Sequence, residues 1–262
     1  MDLGLDGKIV LITGSGSGIG QHMAAAFAAE GAKIAVNDVS PEGIETTLGL
    51  IDTAGGAGMA ARCDITDADA VAGMIATVEK QWGRLDILVN NAAVMTRHAL
   101  FLEKTPEQCD QEIQVTLYGT INCTRAALPG MIDRTYGKIV NIATDAARVG
   151  QEREAVYAAA KGGVISFTKS IAREVGRNNI NANVVSPGAT NSPMRNSILD
   201  KMRETMGAEK VAAREERVKR VYPLRRIGEM EDVSNAVLFA SSDRARHITG
   251  QVLSVNGGFA MV

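Results

Sequence analysis

The chain has 262 residues, of which 45% are hydrophobic and 22% are charged, and its formal net charge is −2. A chain of this size can bury the core of one α/β domain, although length alone also allows two small domains. The near-neutral charge gives no reason to expect binding to nucleic acid or to an anionic membrane.

The N-terminus and the sparse reactive residues indicate a cytoplasmic protein without a metal site. The first residues include acids and lack an apolar segment, so they do not form a signal peptide, and no apolar run approaches the ~20 residues of a membrane span. The cysteines lack metal-ligand spacing and are expected to be small buried hydrophobes in a reducing compartment. The histidines are too scattered for a zinc site or a catalytic triad. These residues are Cys63, Cys109, Cys123, His22, His98 and His247.

A glycine loop follows the first apolar run. Residues 8–13 are typical of a strand buried on both faces, and residues 21–30 have apolar side chains at helical spacing. A loop of this kind between a strand and a helix predicts a pyrophosphate site at the helix N-terminus. The glycines that would allow the tight turn, the approach of the pyrophosphate and the close helix packing are Gly14, Gly18 and Gly20.

The second strand, residues 33–37, ends at Asp38, 18 residues after Gly20. A carboxylate there accepts hydrogen bonds from the adenosine ribose and repels a 2′-phosphate. No arginine directly follows the glycine loop or Asp38, so the sequence predicts NAD rather than NADP. A helix cap is the alternative role for Asp38, but Ser40 before Pro41 suits that role better.

The rest of the chain continues the alternation of strand and helix. Further strands are predicted at 57–63, 85–89, 137–143, 180–186 and 252–255, and helices at 68–81, 107–131, 157 to about 176, and 231–241. The helix at 107–131 is expected to break late, at Pro129 and Gly130. We therefore predict a single-domain Rossmann fold, a doubly wound parallel sheet of seven strands with helices on both faces and ligands at the carboxyl ends of the strands.

Tyr157 and Lys161 lie four positions apart in a run of small helix formers, so both side chains share one helix face. An ammonium beside a phenol favours the tyrosinate, and we expect it to lower the pKa of Tyr157 toward neutral pH. Such a group serves as general acid or base on an alcohol or a ketone. Thr144 falls at the end of the fifth strand, where its hydroxyl would donate to the substrate oxygen.

Together these features resemble the short-chain dehydrogenase/reductase family over nearly the whole chain. The matching residues are Thr13, Gly14, Gly18, Gly20, Asp64, Asn90, Asn91, Ala92, Tyr157, Lys161, Pro187, Gly188, and the stretches 248–251 and 257–258. The resemblance implies that Thr144, Tyr157 and Lys161 are catalytic, with Thr116 at the position of the proton relay. It implies cofactor contacts from Gly14, Ser17, Gly18, Ile19, Asp38, Asp64, Ile65, Asn91, Ala92, Tyr157, Lys161, Pro187, Gly188, Thr190 and Ser192.

The chain departs from the family pattern at three positions. Thr144 replaces the usual serine and keeps its hydroxyl on a more restricted side chain. Thr116 replaces an asparagine that helps to hold a water beside the lysine; its backbone carbonyl would have to hold that water instead. Ala93 adds one methyl group near the cofactor.

Residues 193–220 are a charged helical insertion, which in this fold would cover the active site as a lid. The resemblance also implies a homo- or hetero-tetramer through the helices at 107–131 and 155–176, with Ala158, Ala159, Gly162 and Gly163 allowing close approach.

Stretch 143–150 is similar to that of family members that oxidise hydroxyacyl-CoA thioesters in aromatic and alicyclic acid breakdown. Arg97, Arg148, Arg153 and the basic residues of the lid would suit CoA phosphates or a substrate carboxylate. The sequence therefore predicts an NAD-dependent secondary-alcohol dehydrogenase, with a hydroxyacyl-CoA as the favoured small-molecule substrate. Alternatives are a free secondary alcohol of sugar-, steroid- or aryl-alcohol type, a 3-oxoacyl-thioester reductase, an inactive partner subunit of an active paralogue, and a regulatory NAD sensor.

Overall fold

A computed structural model describes residues 2–262, and its centre is one sheet of seven parallel strands in the order β3-β2-β1-β4-β5-β6-β7. The strands are β1 Ile9–Thr13, β2 Lys33–Asn37, β3 Ala57–Ala60, β4 Ile87–Asn90, β5 Gly137–Ile142, β6 Ile180–Pro187 and β7 Val252–Val255. This arrangement confirms the predicted doubly wound α/β fold.

The main helices cover both faces of the sheet. They are α1 Gly18–Ala29, α2 Pro41–Thr53, α3 Ala68–Trp82, α4 Pro106–Ile113, α5 Gly119–Asp133, α6 Ala146–Val149, α7 Ala155–Val175, α8 Pro193–Met206, α9 Ala208–Val221 and α10 Met230–Ser241. Apolar residues of α1, α2 and α10 form the core on one face, and those of α3, α5 and α7 form the core on the other. No helix within residues 2–262 is long and apolar enough to cross a membrane.

The first strand shows why its apolar run is continuous. Val10 and Ile12 belong to one core, whereas Ile9 and Leu11 belong to the other. Successive strand residues point to opposite faces, so a strand covered on both sides needs apolar residues throughout. The strand order reverses between β1 and β4, and a cleft opens there at the carboxyl ends of the strands.

The predicted helix at 107–131 needs a correction. The chain is α-helical over α4, takes five residues of π-helix at Gln114–Tyr118, and continues as α5 to Asp133. Pro129 lies inside α5 and does not end it. At Gly130 the helix instead packs closely on α3. A Cβ at this position would lie only 2.4 Å from Glu79 Oε1 of α3, so a larger residue would disturb the contact. The irregular turn sits at Thr116 and not at the proline.

The other boundaries differ by a few residues, as helix and strand ends commonly do. Helix α1 begins at Gly18, inside the glycine loop, and β3 ends at Ala60. The insertion forms two helices, α8 and α9, which are separated by Gly207 at φ +86°. Arg195 on α8 pairs with Glu215 on α9, so the two helices are joined by charge as well as by sequence.

Gly163 packs closely within its own chain, since a Cβ there would lie 3.0 Å from Leu117. The role of this glycine in subunit contacts and the tetramer itself stay predictions. Cys123 is buried as expected, whereas Cys63 and Cys109 are only partly buried.

Candidate active site

A cavity of about 1060 Å³ lies along the carboxyl ends of the strands. Every predicted cofactor residue lines it, together with Thr144, Tyr157 and Lys161, whereas Thr116 does not. Segments far apart in the sequence therefore meet in one space, because they follow successive strands of the same parallel sheet.

The glycine loop forms one wall, and its shape depends on missing side chains. Gly14 and Gly18 have φ values of +60° and +59°, which favour glycine. A Cβ on Gly20 would lie 2.2 Å from the carbonyl oxygen of Gly14. Helix α1 therefore starts directly against the loop, and its free N–H groups face the cavity as an anion site. This wall fits the pyrophosphate of a dinucleotide.

Asp38 lies beside the glycine loop at the end of β2. Its Oδ2 accepts a hydrogen bond from Gly16 N at 2.9 Å, and its Oδ1 accepts one from Ser40 N at 3.0 Å. The cap of α2 is Ser40, whose Oγ accepts from Gly43 N, so capping does not account for Asp38. Arg62, which the sequence did not single out, donates its Nε to Val39 O at 3.2 Å and thus contacts the residue that follows Asp38.

The ends of β1 and β4 are held together by polar contacts. Thr13 Oγ1 accepts hydrogen bonds from the N–H groups of Asn91 and Ala92, each at 3.1 Å. The Asn91 side chain donates to the carbonyl oxygens of Thr13 and Gly14. The side chain of Asn91 therefore holds the glycine loop in place by hydrogen bonds, and the residue also lines the cavity.

The end of β3 contributes Asp64 and Ile65 to the cavity. Asp64 Oδ1 accepts from both N and Oγ1 of Thr66, whereas the cap of α3 is Asp67. Ile65 O accepts from Asn122 Nδ2 of α5 at 3.0 Å.

The opposite wall carries Thr144, Tyr157 and Lys161. Thr144 follows β5 by two residues, and Tyr157 and Lys161 share one face of α7. Lys161 is buried and donates its Nζ to the carbonyl oxygen of Ile142, the last residue of β5. The Nζ lies 5.9 Å from the centre of the Tyr157 ring. The tyrosine and the lysine are thus adjacent, and the lysine ties α7 to the sheet.

The protonation states differ from the expectation. Burial lowers the pKa of Lys161 to about 7, so it carries only part of a positive charge at neutral pH. Burial raises the pKa of Tyr157, and the carboxylates of Glu154 and Glu112 raise it further. The expected lowering of the Tyr157 pKa by Lys161 is therefore wrong for the protein's own groups, which keep this phenol protonated.

Thr116 lies behind the cavity wall, within the π-helical turn, and is fully buried. Its hydroxyl oxygen accepts from Val94 N at 3.4 Å, and its carbonyl oxygen accepts from Thr120 Oγ1 at 2.9 Å. The hydroxyl oxygen is therefore used inside the fold, whereas the carbonyl oxygen has a second lone pair, so the role of Thr116 in the proton relay stays a prediction.

The segment after β6 closes the cavity toward the lid. Pro187, Gly188, Thr190 and Ser192 all line it, as predicted. Ser192 Oγ accepts from Arg195 N, so this residue is also the cap of α8.

Several lining residues were not predicted. Tyr222 stacks on Phe259 with ring centres 5.3 Å apart, and its hydroxyl accepts from Ala189 N. His98 and Glu154 line the cavity near Tyr157. Only Glu154 left a signal in the sequence, since it lies three residues before Tyr157, directly before the start of α7.

Comparison with known proteins agrees with this architecture. The family model described as Enoyl-(Acyl carrier protein) reductase matches residues 14–260. The chain belongs to the short-chain dehydrogenase/reductase family. The family membership confirms the resemblance drawn from the motifs, and the protein is an oxidoreductase of that family.

Two curated family members illustrate the range of relatives. The 3-oxoacyl-(acyl-carrier-protein) reductase FabG of Thermotoga maritima is 36% identical over 257 residues, which cover 98% of this chain and 99% of the relative. The (2S)-((R)-hydroxy(phenyl)methyl)succinyl-CoA dehydrogenase subunit BbsD of Thauera aromatica is 35% identical over 256 residues, which cover 98% of each chain. Among solved structures, levodione reductase superposes with a TM-score of 0.89 at 30% identity, covering 96% of each chain.

Proposed function

We propose that the protein is an NAD(H)-dependent oxidoreductase that reduces the ketone of a 3-oxoacyl thioester to a secondary alcohol. The observation that carries the proposal is the shared cavity, in which Thr144, Tyr157 and Lys161 face a glycine loop with an acid at its side. A nicotinamide cofactor, when bound, exchanges a hydride with the carbon of the substrate that carries the oxygen.

In this proposal Tyr157 moves the proton. Its hydroxyl donates a proton to the ketone oxygen during reduction and removes it from the alcohol in the reverse reaction. Thr144 donates a hydrogen bond to the same oxygen and orients it. Lys161 binds the ribose hydroxyls on the nicotinamide side of the cofactor. Its Nζ is also a hydrogen-bond donor close to Tyr157.

The state of Tyr157 fits this role. Burial and the neighbouring carboxylates raise its pKa, so the phenol is protonated at neutral pH and can donate its proton to a ketone oxygen. The same group accepts the proton in the reverse reaction, so its protonation does not select the direction. The sequence favoured oxidation; the names of the curated relatives fit the reductase alternative at least as well.

Asp38 supports NAD(H) over NADP(H). Its carboxylate is held against the glycine loop, where it would accept hydrogen bonds from the adenosine ribose and repel a phosphate. Arg62 lies close by and would favour a phosphate, so the preference depends on Asp38 itself.

A second candidate function is the oxidation of a hydroxyacyl-CoA. Similarity to BbsD, whose name describes dehydrogenation of an acyl-CoA, favours it, as does an acid that selects NAD. Both candidate reactions take place at the carbon of an acyl thioester that carries a ketone or hydroxyl oxygen. They differ in the direction of hydride transfer and in the group that carries the acyl chain.

The test is an NADH-linked assay of wild-type protein with acetoacetyl thioesters in one direction and 3-hydroxybutyryl thioesters in the other. Free secondary alcohols and their ketones form the comparison set. The proposal expects kcat/KM to be highest for ketone reduction on a thioester. Faster turnover of free alcohols or ketones than of every thioester would contradict it, and faster oxidation of 3-hydroxybutyryl-CoA would favour the second candidate.

A further inference from the structure

A third ionisable side chain precedes the two catalytic residues of α7. Glu154 is the residue directly before α7, and Tyr157 and Lys161 lie on one face of that helix, so all three come from one short segment of the chain. Glu154 is 9% exposed, and it lines the same cavity as the other two. A buried carboxylate beside a reacting centre needs partners, because burying a charge without them is costly.

The protein supplies partners for only one of its two oxygens. Glu154 Oε1 accepts from Gln151 Nε2 at 2.8 Å and lies 3.8 Å from His98 Nε2. Within residues 2–262, no hydrogen bond is recorded to Oε2, and this oxygen is not among the buried atoms that lack a partner, so it is open to the cavity. Since the residue lines the cavity, a ligand there can supply the missing donor.

A neighbouring ion pair does not supply it either. Lys104 lies close enough to act on Glu154, but its Nζ donates to both oxygens of Glu112, at 2.5 and 2.7 Å. Glu112 Oε1 also accepts from N and Oγ1 of Thr96. The ion pair of Lys104 and Glu112 is buried and hydrogen-bonded, so the Lys104 ammonium is not available to pair with Glu154.

Two arginines line the same cavity, but each is paired with another carboxylate: Arg153 with Glu152 and Arg214 with Glu215. Burial, followed by the charges of Arg153, Arg214 and Lys104, lowers the pKa of His98, and the nearby Glu152 only partly opposes this. His98 is therefore a neutral imidazole at neutral pH. Burial raises the pKa of Glu154 to about 7, with Glu112 adding to it and Lys104 opposing it.

We propose that Glu154 and His98 form a substrate subsite that binds an uncharged hydrogen-bond donor, either a hydroxyl or an amide N–H, near the reacting carbon. A carboxylate on the substrate is disfavoured there, because it would face another carboxylate. The inference rests on the proposed function for its choice of thioester, whose carrier arm contains amide N–H groups. An acyl-chain hydroxyl is the other source of such a donor.

The experiment compares substrates that differ by one donor. The parent is the S-butyl thioester of acetoacetate, which has no donor. The N-acetylcysteamine thioester adds an amide in the arm, and a 4-hydroxy derivative of the parent adds a hydroxyl in the acyl chain. Wild-type protein is compared with Glu154→Leu, Glu154→Gln and His98→Leu. The matched control is Glu152→Gln, whose exposed side chain pairs with Arg153.

For wild-type protein we expect at least one donor-bearing substrate to have a KM about tenfold below that of the parent, since hydrogen bonds to charged groups are among the stronger ones. Glu154→Leu removes this preference, so that the KM of the parent and the KM of the donor-bearing substrate become equal, whatever the change in kcat. Glu154→Gln weakens the preference and lowers the KM of a carboxylate-bearing substrate. Glu152→Gln leaves the preference unchanged.

The outcomes separate the subsite from the function. A gain with the amide alone assigns the donor to the carrier arm, and a gain with the hydroxyl alone assigns it to the acyl chain. An equal KM for all three substrates, or a preference that survives in Glu154→Leu, overturns the subsite even when every thioester is reduced. If no thioester is reduced, the proposed function fails. The same variants are then compared on butane-2,3-diol and butan-2-ol. A preference for the diol in wild type that is lost in Glu154→Leu supports the subsite. The subsite is overturned if wild type shows no such preference, or if the preference persists in Glu154→Leu.

Discussion

The two halves of the cavity are built in different ways. The glycine-loop wall of the cofactor half depends on backbone groups and on positions that have no side chain. Gly14 has a positive φ, Gly20 lies against a carbonyl oxygen, and N–H groups face the cavity at the start of α1. The substrate half is made of side chains that come from separate segments, among them His98, Glu154 and the lid residue Arg214. The residues of the cofactor half follow a local pattern that can be recognised in the sequence. The residues of the substrate half come together only when the chain folds.

This difference has a physical consequence for variants. In the cofactor half, an added methyl group meets rigid backbone and disturbs the fold. In the substrate half, a changed side chain alters charge and hydrogen bonding, and it affects the chemistry more than the fold. The predictions below test that contrast.

The largest expected effect is on the chemical step. Tyr157→Phe removes the hydroxyl that donates the proton, and we expect kcat to fall about a thousandfold, within the range for loss of a general acid. NADH affinity, measured by calorimetry, stays within about threefold because the ring remains. Full activity in this variant would remove Tyr157 from the mechanism.

Gly20→Ala should destabilise the fold by about 3 kcal/mol, because its Cβ would lie 2.2 Å from Gly14 O and 2.6 Å from Asn91 Nδ2. Urea unfolding measures the change in the free energy of unfolding. The matched control is Gly49→Ala in α2, where no atom lies within 4 Å of the added Cβ. Alanine there should stabilise the helix by about 0.5–1 kcal/mol. Equal stability of the two variants would refute the view that the loop wall is rigid.

Asp38→Ser should change the cofactor preference. It removes the carboxylate and leaves Arg62 as the nearby charge. We expect the affinity for NADH to fall about tenfold or more and that for NADPH to rise, since hydrogen bonds to a charged group contribute about 1.5–3 kcal/mol. Calorimetric titrations with both cofactors measure this. An unchanged ratio of the two affinities would show that Asp38 does not select the cofactor.

The smallest effect is on the pH dependence of stability. Burial raises the pKa of Glu154 from 4.5 to about 7, so the folded state binds more protons than the unfolded state between these pH values. Stability therefore falls as pH rises through this window, by about 1–3 kcal/mol. Glu154→Gln should remove this fall, whereas Glu152→Gln should keep it. Unfolding curves at several pH values give the result, and parallel profiles for wild type and Glu154→Gln would contradict it.

The fold could be predicted because it is encoded in local patterns of the sequence. The residues predicted to bind a cofactor line one cavity, and their contacts with the cofactor stay a prediction. Apolar runs between glycines and caps indicate buried parallel strands, and Asp38 at a strand end needs no tertiary information. Membership of the family confirms that fold. The helix at 107–131 was harder, since the π-helical turn at Thr116 leaves no pattern and Pro129 falsely indicates a break.

The substrate half was largely beyond the sequence. His98, Glu154 and Tyr222 become neighbours of the site through long-range packing, and a lone histidine or glutamate is most often an ordinary surface or core residue. The pKa of Tyr157 also could not be read from spacing. Lys161 lies on the same helix face as Tyr157, as the spacing predicted, but desolvation of both groups and the carboxylates of Glu154 and Glu112 outweigh its charge.

The most direct test of the proposed reaction is a competition between the two reduced cofactors in one tube. Wild-type protein is mixed with acetoacetyl thioester, unlabelled NADH and an equal amount of NADPH carrying two deuterium atoms at C4, and the labels are then exchanged in a second tube. Mass spectrometry of the 3-hydroxybutyryl product shows which cofactor supplied the hydride. We expect product without deuterium in the first tube and deuterium at carbon 3 in the second. Deuterium in the first tube, or no reduced product in either, would contradict the proposal that this protein reduces an oxoacyl thioester with NADH.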